Sequence, residues 1–271
     1  MRHNFILICF VLLMSSESNV FAELEISTQK DKNTVRFYAK NNAYVASSIS
    51  FKITVKNMHG APEKILLVPA NKANHLLFEL KAKDPKKKFS FNYTYKSHIG
   101  QVNVKQAKNP IYNIPFKKGT RVKGGQGFHG KFSHQGLLAF SVDFPVPVGT
   151  VVYPARPGVV VKVIDSFSKG GTDKSFKNKG NVIWIMHADK TLGKYLHLKH
   201  KGILVKPGQK VDRNTKLGYS GNTGYSSGPH LHFEVGAANE NLDFQSQEFY
   251  FSDKKGNRFT IKKGKKFFAD R

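Results

Sequence analysis

Cysteine is almost absent from this chain of 271 residues: Cys9 is the single one. It sits inside an apolar run, Phe5 to Met14, that follows Arg2 and His3. A polar stretch then ends in Val20-Phe21-Ala22. This is the pattern of a secretory signal cleaved after Ala22, so the first domain assignment is a signal peptide over 1–22. Cleavage would leave a mature chain without thiols, which excludes a disulfide framework and a thiolate metal site. A chain of this length fills its core without covalent staples. Beyond the leader there is no apolar run long enough to span a bilayer, so the mature protein is expected not to be transmembrane. Helical periodicity is missing too. No amphipathic stretch of useful length can be found, which argues against bundles and α/β folds.

Acidic residues are scarce. Lys and Arg number 44 against 18 Asp and Glu, a net charge of +26. Such an excess implies an anionic environment or partner, and the charge is spread along the chain rather than gathered on one element. Aromatic residues do not interleave with the basic ones as a base-stacking module requires, so no specific nucleic-acid partner is expected. Anionic wall or outer-membrane polymers suit an exported protein better.

What the chain has instead is short alternating segments punctuated by turns. Between Glu23 and about Lys108, Leu24–Ser27, Thr34–Ala39, Ser48–Val55, Glu63–Pro69, Asn74–Leu80, Phe89–Tyr95 and Val102–Val104 read as strands. Asn41-Asn42, Asn57–Gly60, Asp84-Pro85 and His98–Gly100 separate them. The region 23–108 is therefore expected to be a small β-sandwich. Residues 109–117, with two prolines, read as a linker. The stretch 118–240 is again β and glycine-rich. Its strand candidates are Phe140–Phe144, Val151–Tyr153, Gly158–Asp165, Asn181–His187, Gly193–Leu198, Val211–Tyr219 and His230–Val235. Ser166–Gly180 reads as a polar loop able to wall a cleft. Residues 241–271 end in a Lys/Arg-rich stretch and read as a basic C-terminal extension, either a tether to an anionic polymer or a solvated end. The fold class is all-β.

Chemistry concentrates in Gly218–Val235, GYSGNTGYSSGPHLHFEV. In a strand, His230 and His232 would point to one face and Leu231 and Phe233 to the other. Two imidazoles so placed can share one metal or one reacting group. Upstream lie His134 before Gly136, Asp143 between Val142 and Phe144, and His197 between Leu196 and Leu198. A carboxylate in apolar company is costly unless paired, hydrogen-bonded or metal-bound. Two histidines and one carboxylate with an open fourth position make a catalytic zinc site. Two further histidines suit proton transfer and oxyanion stabilisation. Residue types alone do not distribute those roles among the five.

These segments resemble the lysostaphin/LytM-like zinc metallopeptidases, which cleave peptide cross-links in bacterial peptidoglycan. The resemblance covers about Lys118 to Val235. It rests on His134 to Asp143 continuing into DFPVPVGTVVYPARPGVVVKV, on Gly180–His187, on Tyr195–Leu198, and on the SGNTG…GPHLHFEV signature, all in order. The resemblance implies a cleft-bearing antiparallel-sheet metallopeptidase domain over 118–240, with one Zn2+ per chain on His134, Asp143 and His232. His197 and His230 would be the catalytic histidines, and peptidoglycan peptide stems the substrate. The His134-to-Asp143 spacing is longer than in many members and matches a long-spaced subgroup, which leaves His129 as a competitor for His134. His187 is expected to pack rather than react. The rival expectation is a non-catalytic peptidoglycan-binding or hydrolase-activating protein on the same fold. Location is expected to be the periplasm, or the cell wall and extracellular space.

Overall fold

The computed structural model describes residues 24–108 and 110–270. The expected signal segment, residues 1–22, and Cys9 with it lie outside them. The chain divides into two compact units between Ser97 and His98, and both are built of strands.

The first unit has two sheets. One orders Leu24–Asp31, Thr34–Asn41, Lys72–Ala82 and Met58–His59, all antiparallel; the other places Ser47–Lys56 between Leu66–Val68 and Ser90–Ile99. Alternation does the sorting: in Thr34–Asn41, Val35, Phe37, Ala39 and Asn41 are buried while their neighbours are half-exposed or exposed. Phe37 stacks on Phe78 with centroids 4.4 Å apart and meets Phe91 and Tyr93 edge-on. Aromatic pairs of this kind add to area burial in closing one sheet on the other. Val102–Val104, expected as a strand, forms only an isolated bridge from Val102 to Ala238, because Asn103 turns into the left-handed region at φ 54°.

The second unit is centred on a sheet in the order Ser141–Phe144, Leu231–Ala238, Leu192–Leu196, Val182–Met186, Gly158–Ile164, Lys210–Val211, with Phe244–Ser246 also pairing with Leu231–Ala238. Every pairing in it is antiparallel. Leu231–Ala238 is buried at all eight positions. Its odd-numbered side chains Leu231, Phe233 and Val235 join one apolar core with Tyr112, Phe116, Phe144, Tyr195, Phe249 and Phe251. Its even-numbered side chains, His232 and Glu234, stand on the opposite face. A three-stranded sheet of Val151–Val152, Gly218–Ser220 and Leu198–Ile203 flanks the central one.

Several expectations differ from these elements. The segment expected as one strand over Val211–Tyr219 is two short strands, because the Asp212 carboxylate accepts from the backbone N–H groups of Asn214 and Thr215 and ties a turn between them. The strand expected over Gly193–Leu198 breaks at His197, where φ is 63°. The loop Ser166–Gly180 contains a 3-10 turn at Lys174–Phe176, and its Gly170-Gly171 pairs in parallel with Gly224-Tyr225. Residues 109–117 carry fully buried Tyr112, Ile114 and Phe116, and Ile111–Tyr112 pairs in parallel with Tyr250–Ser252. Residues beyond 240 are not a free tail: Lys266–Phe268 pairs with Arg121–Lys123, and Phe249, Phe251, Ile261 and Ala269 are buried. Two prolines hide the first of these segments, and many lysines hide the second.

Candidate metal centre

The site is set by sheet register. Asp143 lies opposite His232 on one side and Leu196 lies opposite His232 on the other, so a carboxylate and an imidazole on adjacent strands share one face. The third member, His134, arrives from the loop that precedes the 3-10 turn Gly136–Leu138. Ligand atoms of His134, Asp143 and His232 all lie within 4.8 Å of one another, and all three residues are buried.

Each of these side chains is aimed by a partner. His134 Nδ1 donates to the Gly127 carbonyl at 2.9 Å, which leaves Nε2 as the lone-pair nitrogen. That Nε2 is buried, 3.2 Å from Asp143 Oδ1, in a geometry that makes no hydrogen bond. An orphaned imidazole nitrogen pointing at a carboxylate oxygen is what a cation between them would resolve. Asp143 Oδ2 accepts from Gln126 Nε2 at 3.0 Å, and the same amide nitrogen reaches Ser133 Oγ. Oδ1 therefore faces the cluster. His232 Nδ1 is 2.9 Å from that Oδ1. Two imidazole nitrogens converging on one carboxylate oxygen, with no thiol, are the donor set of a three-ligand zinc site with an open position. The triad fits a single Zn2+.

His197 and His230 complete the cluster without joining the triad. Their ring centroids are 4.5 Å apart, and His197 is 5.9 Å from His232. His197 Nδ1 donates to the Thr223 carbonyl at 2.7 Å and His230 Nδ1 to the Gly228 carbonyl at 2.7 Å. Both rings thus present Nε2, and His230 Nε2 is 3.7 Å from Asp143 Oδ1. The left-handed backbone at His197 is unusual for a residue with a side chain, and such strain gathers at functional positions.

Electrostatics sort the group. Burial opposes the charge on Asp143, yet the His134 and His232 imidazoles facing it outweigh that cost and hold the carboxyl far below the usual range. Burial, aided by the charge of neighbouring histidines, lowers His197 to about 3. His230 is lowered chiefly by burial. Both are neutral at pH 7 and able to take a proton. His232 is the exception: burial disfavours its charge, but the Asp143 carboxylate hydrogen-bonded to it and the nearby Glu234 carboxylate raise it to about 9.

The cluster forms the floor of a cleft of about 430 Å³. Phe132 and Tyr225 stand in its walls with ring planes 7° apart, and Lys263 lies on the rim. Of the residues singled out in the sequence, His134, Asp143, His197, His230 and His232 meet here. His129 does not: it packs edge-on against Phe140 at 5.1 Å, on a residue with φ 56°. His187 is buried, donates from Nδ1 to the Pro157 carbonyl and packs on Tyr112. Sequence reasoning missed Gln126, Glu234 and Ser226, whose Oγ lies 3.2 Å from His230 Nδ1. Only Glu234 carried a signal, an acid two residues beyond His232 on the same strand face.

The buried His134–Asp143–His232 triad, with two further imidazoles beside it, is a candidate metal centre. Residues 138–244 match the model of Peptidase family M23. That stretch lies in the second unit and holds Asp143 and His232 of the triad; His134 lies just before it. The chain is 43% identical over 102 residues to an uncharacterized metalloprotease of Buchnera aphidicola subsp. Baizongia pistaciae, a match covering 38% of this chain and 23% of the relative. It is 43% identical over 93 residues to the peptidoglycan DD-endopeptidase ShyA of Vibrio cholerae, covering 34% of this chain and 19% of the relative. The chain thus spans about a fifth of the length of these curated relatives. Among solved structures it is similar to the catalytic domain of lysostaphin from Staphylococcus simulans, at 25% identity and a TM-score of 0.34, covering 48% of this chain and 88% of that one.

Proposed function

We propose that the protein is a zinc-dependent endopeptidase that hydrolyses the peptide cross-links of bacterial peptidoglycan. The observation that carries this reading is the meeting of the triad with two neutral, Nε2-presenting histidines at the floor of an open cleft. Bound by His134, Asp143 and His232, Zn2+ supplies Lewis acidity toward a peptide carbonyl and toward water. The chain does the rest. An extended peptide lies between the Phe132 and Tyr225 walls. His197 or His230 accepts the proton of the attacking water through Nε2. The other, which gains an Nε2–H only by taking up a proton, donates from it to the oxygen that becomes negative as the tetrahedral centre forms. The proton then passes from a histidine to the leaving amine. Tethering each Nδ1 to a backbone carbonyl keeps both rings in the tautomer and orientation that this sequence of transfers needs.

The substrate class is supported by similarity to a peptidoglycan DD-endopeptidase of Vibrio cholerae and to a glycyl-glycine endopeptidase of Staphylococcus capitis. Those names differ in the bond cut, so the products must identify it here. The proposed location is the periplasm or cell wall, after removal of residues 1–22. No helix among the described residues is long and apolar enough to cross a membrane. The charge of +26 would hold the enzyme near anionic wall or outer-membrane polymers, with residues 23–108 as an accessory β domain and 118–240 as the catalytic core.

The test is hydrolysis of purified peptidoglycan. Soluble fragments are expected, lost on chelation and restored by zinc, with their masses giving the scissile bond. Undiminished activity after exhaustive metal removal overturns the zinc mechanism. Stoichiometric zinc binding without any cleavage overturns the hydrolase.

A further inference from the structure

Next to the metal centre, one step along the same sheet, lies a second polar row. Ser141, Glu234 and Lys194 are mutual partners across three adjacent strands, as Asp143, His232 and Leu196 are in the row beside them. Since positions two apart share a face, the second row stands directly beside the first. Ser141, Glu234 and Lys194 are 0%, 2% and 7% exposed. The Lys194 ammonium is 3.6 Å from Glu234 Oε1 and lies over the rings of Phe244 and Trp184. Ser141 Oγ donates to Glu234 Oε2 at 3.1 Å. That same Oε2 is 3.8 Å from His232 Nε2.

A buried carboxylate–ammonium pair is a poor way to stabilise a sheet, because the cost of desolvating both charges cancels most of their attraction; apolar residues of equal volume do as well or better. The row therefore asks for another reason, and the ring of His232 supplies one. His134, His197 and His230 each donate Nδ1–H to a backbone carbonyl and present Nε2. His232 is turned the other way. Its Nδ1 faces Asp143 Oδ1, where His134 Nε2 also converges, and its Nε2 faces Glu234. Among the described residues, no backbone carbonyl accepts from this ring in the way that aims the other three.

We propose that Glu234 is a positioning residue for the metal centre: its carboxylate holds the proton of His232 on Nε2, leaving Nδ1 as the ligand atom, while Ser141 and Lys194 hold that carboxylate in place. An imidazole that binds a metal through one nitrogen commonly gives its other N–H to a carboxylate, which fixes the tautomer and strengthens the ligand. The inference rests on the triad being a zinc site. It does not depend on what the enzyme cleaves.

The experiment separates positioning from stability. The double variant Lys194→Met with Glu234→Met removes both buried charges together, so the metal-free protein is expected to melt at or above the wild-type temperature. Its zinc affinity, measured by competition with a chromogenic chelator, is expected to fall about 10- to 100-fold. Nitrogen-15 NMR of the metal-free protein is expected to show the neutral His232 ring protonated on Nε2 in the wild type and a mixture of tautomers in the variant. Wild-type zinc affinity in the well-folded double variant overturns the proposal while leaving the metallopeptidase reading intact. A wild-type protein that takes up no zinc overturns both. If the double variant does not fold, Glu234→Gln decides: it keeps an acceptor oxygen but no charge, and about tenfold weaker zinc binding is expected, unchanged binding being the overturning result.

Discussion

The chemistry of this site lives in individual nitrogen atoms: His134, His197 and His230 each commit Nδ1 to a backbone carbonyl and present Nε2. His230 gives Nδ1 to the Gly228 carbonyl and keeps Nε2 3.7 Å from Asp143 Oδ1, outside the triad. Its replacement should separate chemistry from metal binding. His230→Ala is expected to retain zinc at close to one per chain and to lose on the order of 10²- to 10⁴-fold in turnover. Metal analysis beside a cleavage assay checks this, and a variant stripped of zinc would make His230 a ligand instead. At this scale the sequence was legible where residue type is itself the chemistry. His134, Asp143, His197, His230 and His232 stood out as polar residues in apolar or glycine-rimmed segments. Gln126 and Glu234 did not, because an amide or an acid acquires its function only from what register sets beside it.

Strands and loops carry the aiming. Gly127 illustrates how. Its carbonyl receives the His134 N–H, while a side chain on its own Cα would collide with the backbone carbonyl of Ile261. Gly127→Ala must therefore shift either the loop or the segment behind it, and the His134 ring moves with the loop. Zinc affinity by chelator competition is expected to drop several-fold, with a lower melting temperature, the overpacking costing roughly 1–3 kcal/mol. The control is Gly119→Ala: nothing lies near the position of its Cβ. Its positive φ costs stability, yet zinc affinity should stay as in the wild type. Alternation made most strands legible, from Thr34–Asn41 to Leu231–Ala238. It failed where one side chain reroutes the backbone. Asp212 ties a turn inside an apolar run, and His197 adopts a left-handed backbone inside another. Neither event has a periodicity to detect.

For the molecule as a whole, buried neutral histidines tie stability to pH. Burial lowers His187 to about 4, with the backbone hydrogen bond to Pro157 opposing it, and burial together with the charge of Lys194 lowers His98 to about 4. The unfolded chain takes up these protons near pH ~6.5 and the folded one does not, so folding is fully favoured above that pH and weakens as pH falls toward 4. Each group should cost about 1 kcal/mol per pH unit across the lower part of that window. Melting temperature should fall accordingly between about pH 6.5 and 5. In His187→Gln the fall should be shallower by one proton's worth; a curve parallel to the wild type would show that His187 is not the titrating group. Two compact β units were foreseeable at this scale. The packing of residues 109–117 and 241–270 was not, since two prolines mark the first as a linker and anchors such as Phe249 and Ile261 are sparse in the lysine-rich second.

That late packing bears on how the cleft comes into being during synthesis. His134 and Asp143 leave the ribosome early, while Phe251 and the rim residue Lys263 emerge long afterwards. Chains grow vectorially and fold as their parts appear. A nascent chain halted after His232 would own every ligand but lack Phe249, Phe251 and Ile261 of the core and Lys263 of the rim. Competence to cut would be conferred by the closing segment, a delay that would spare the cell a half-made hydrolase.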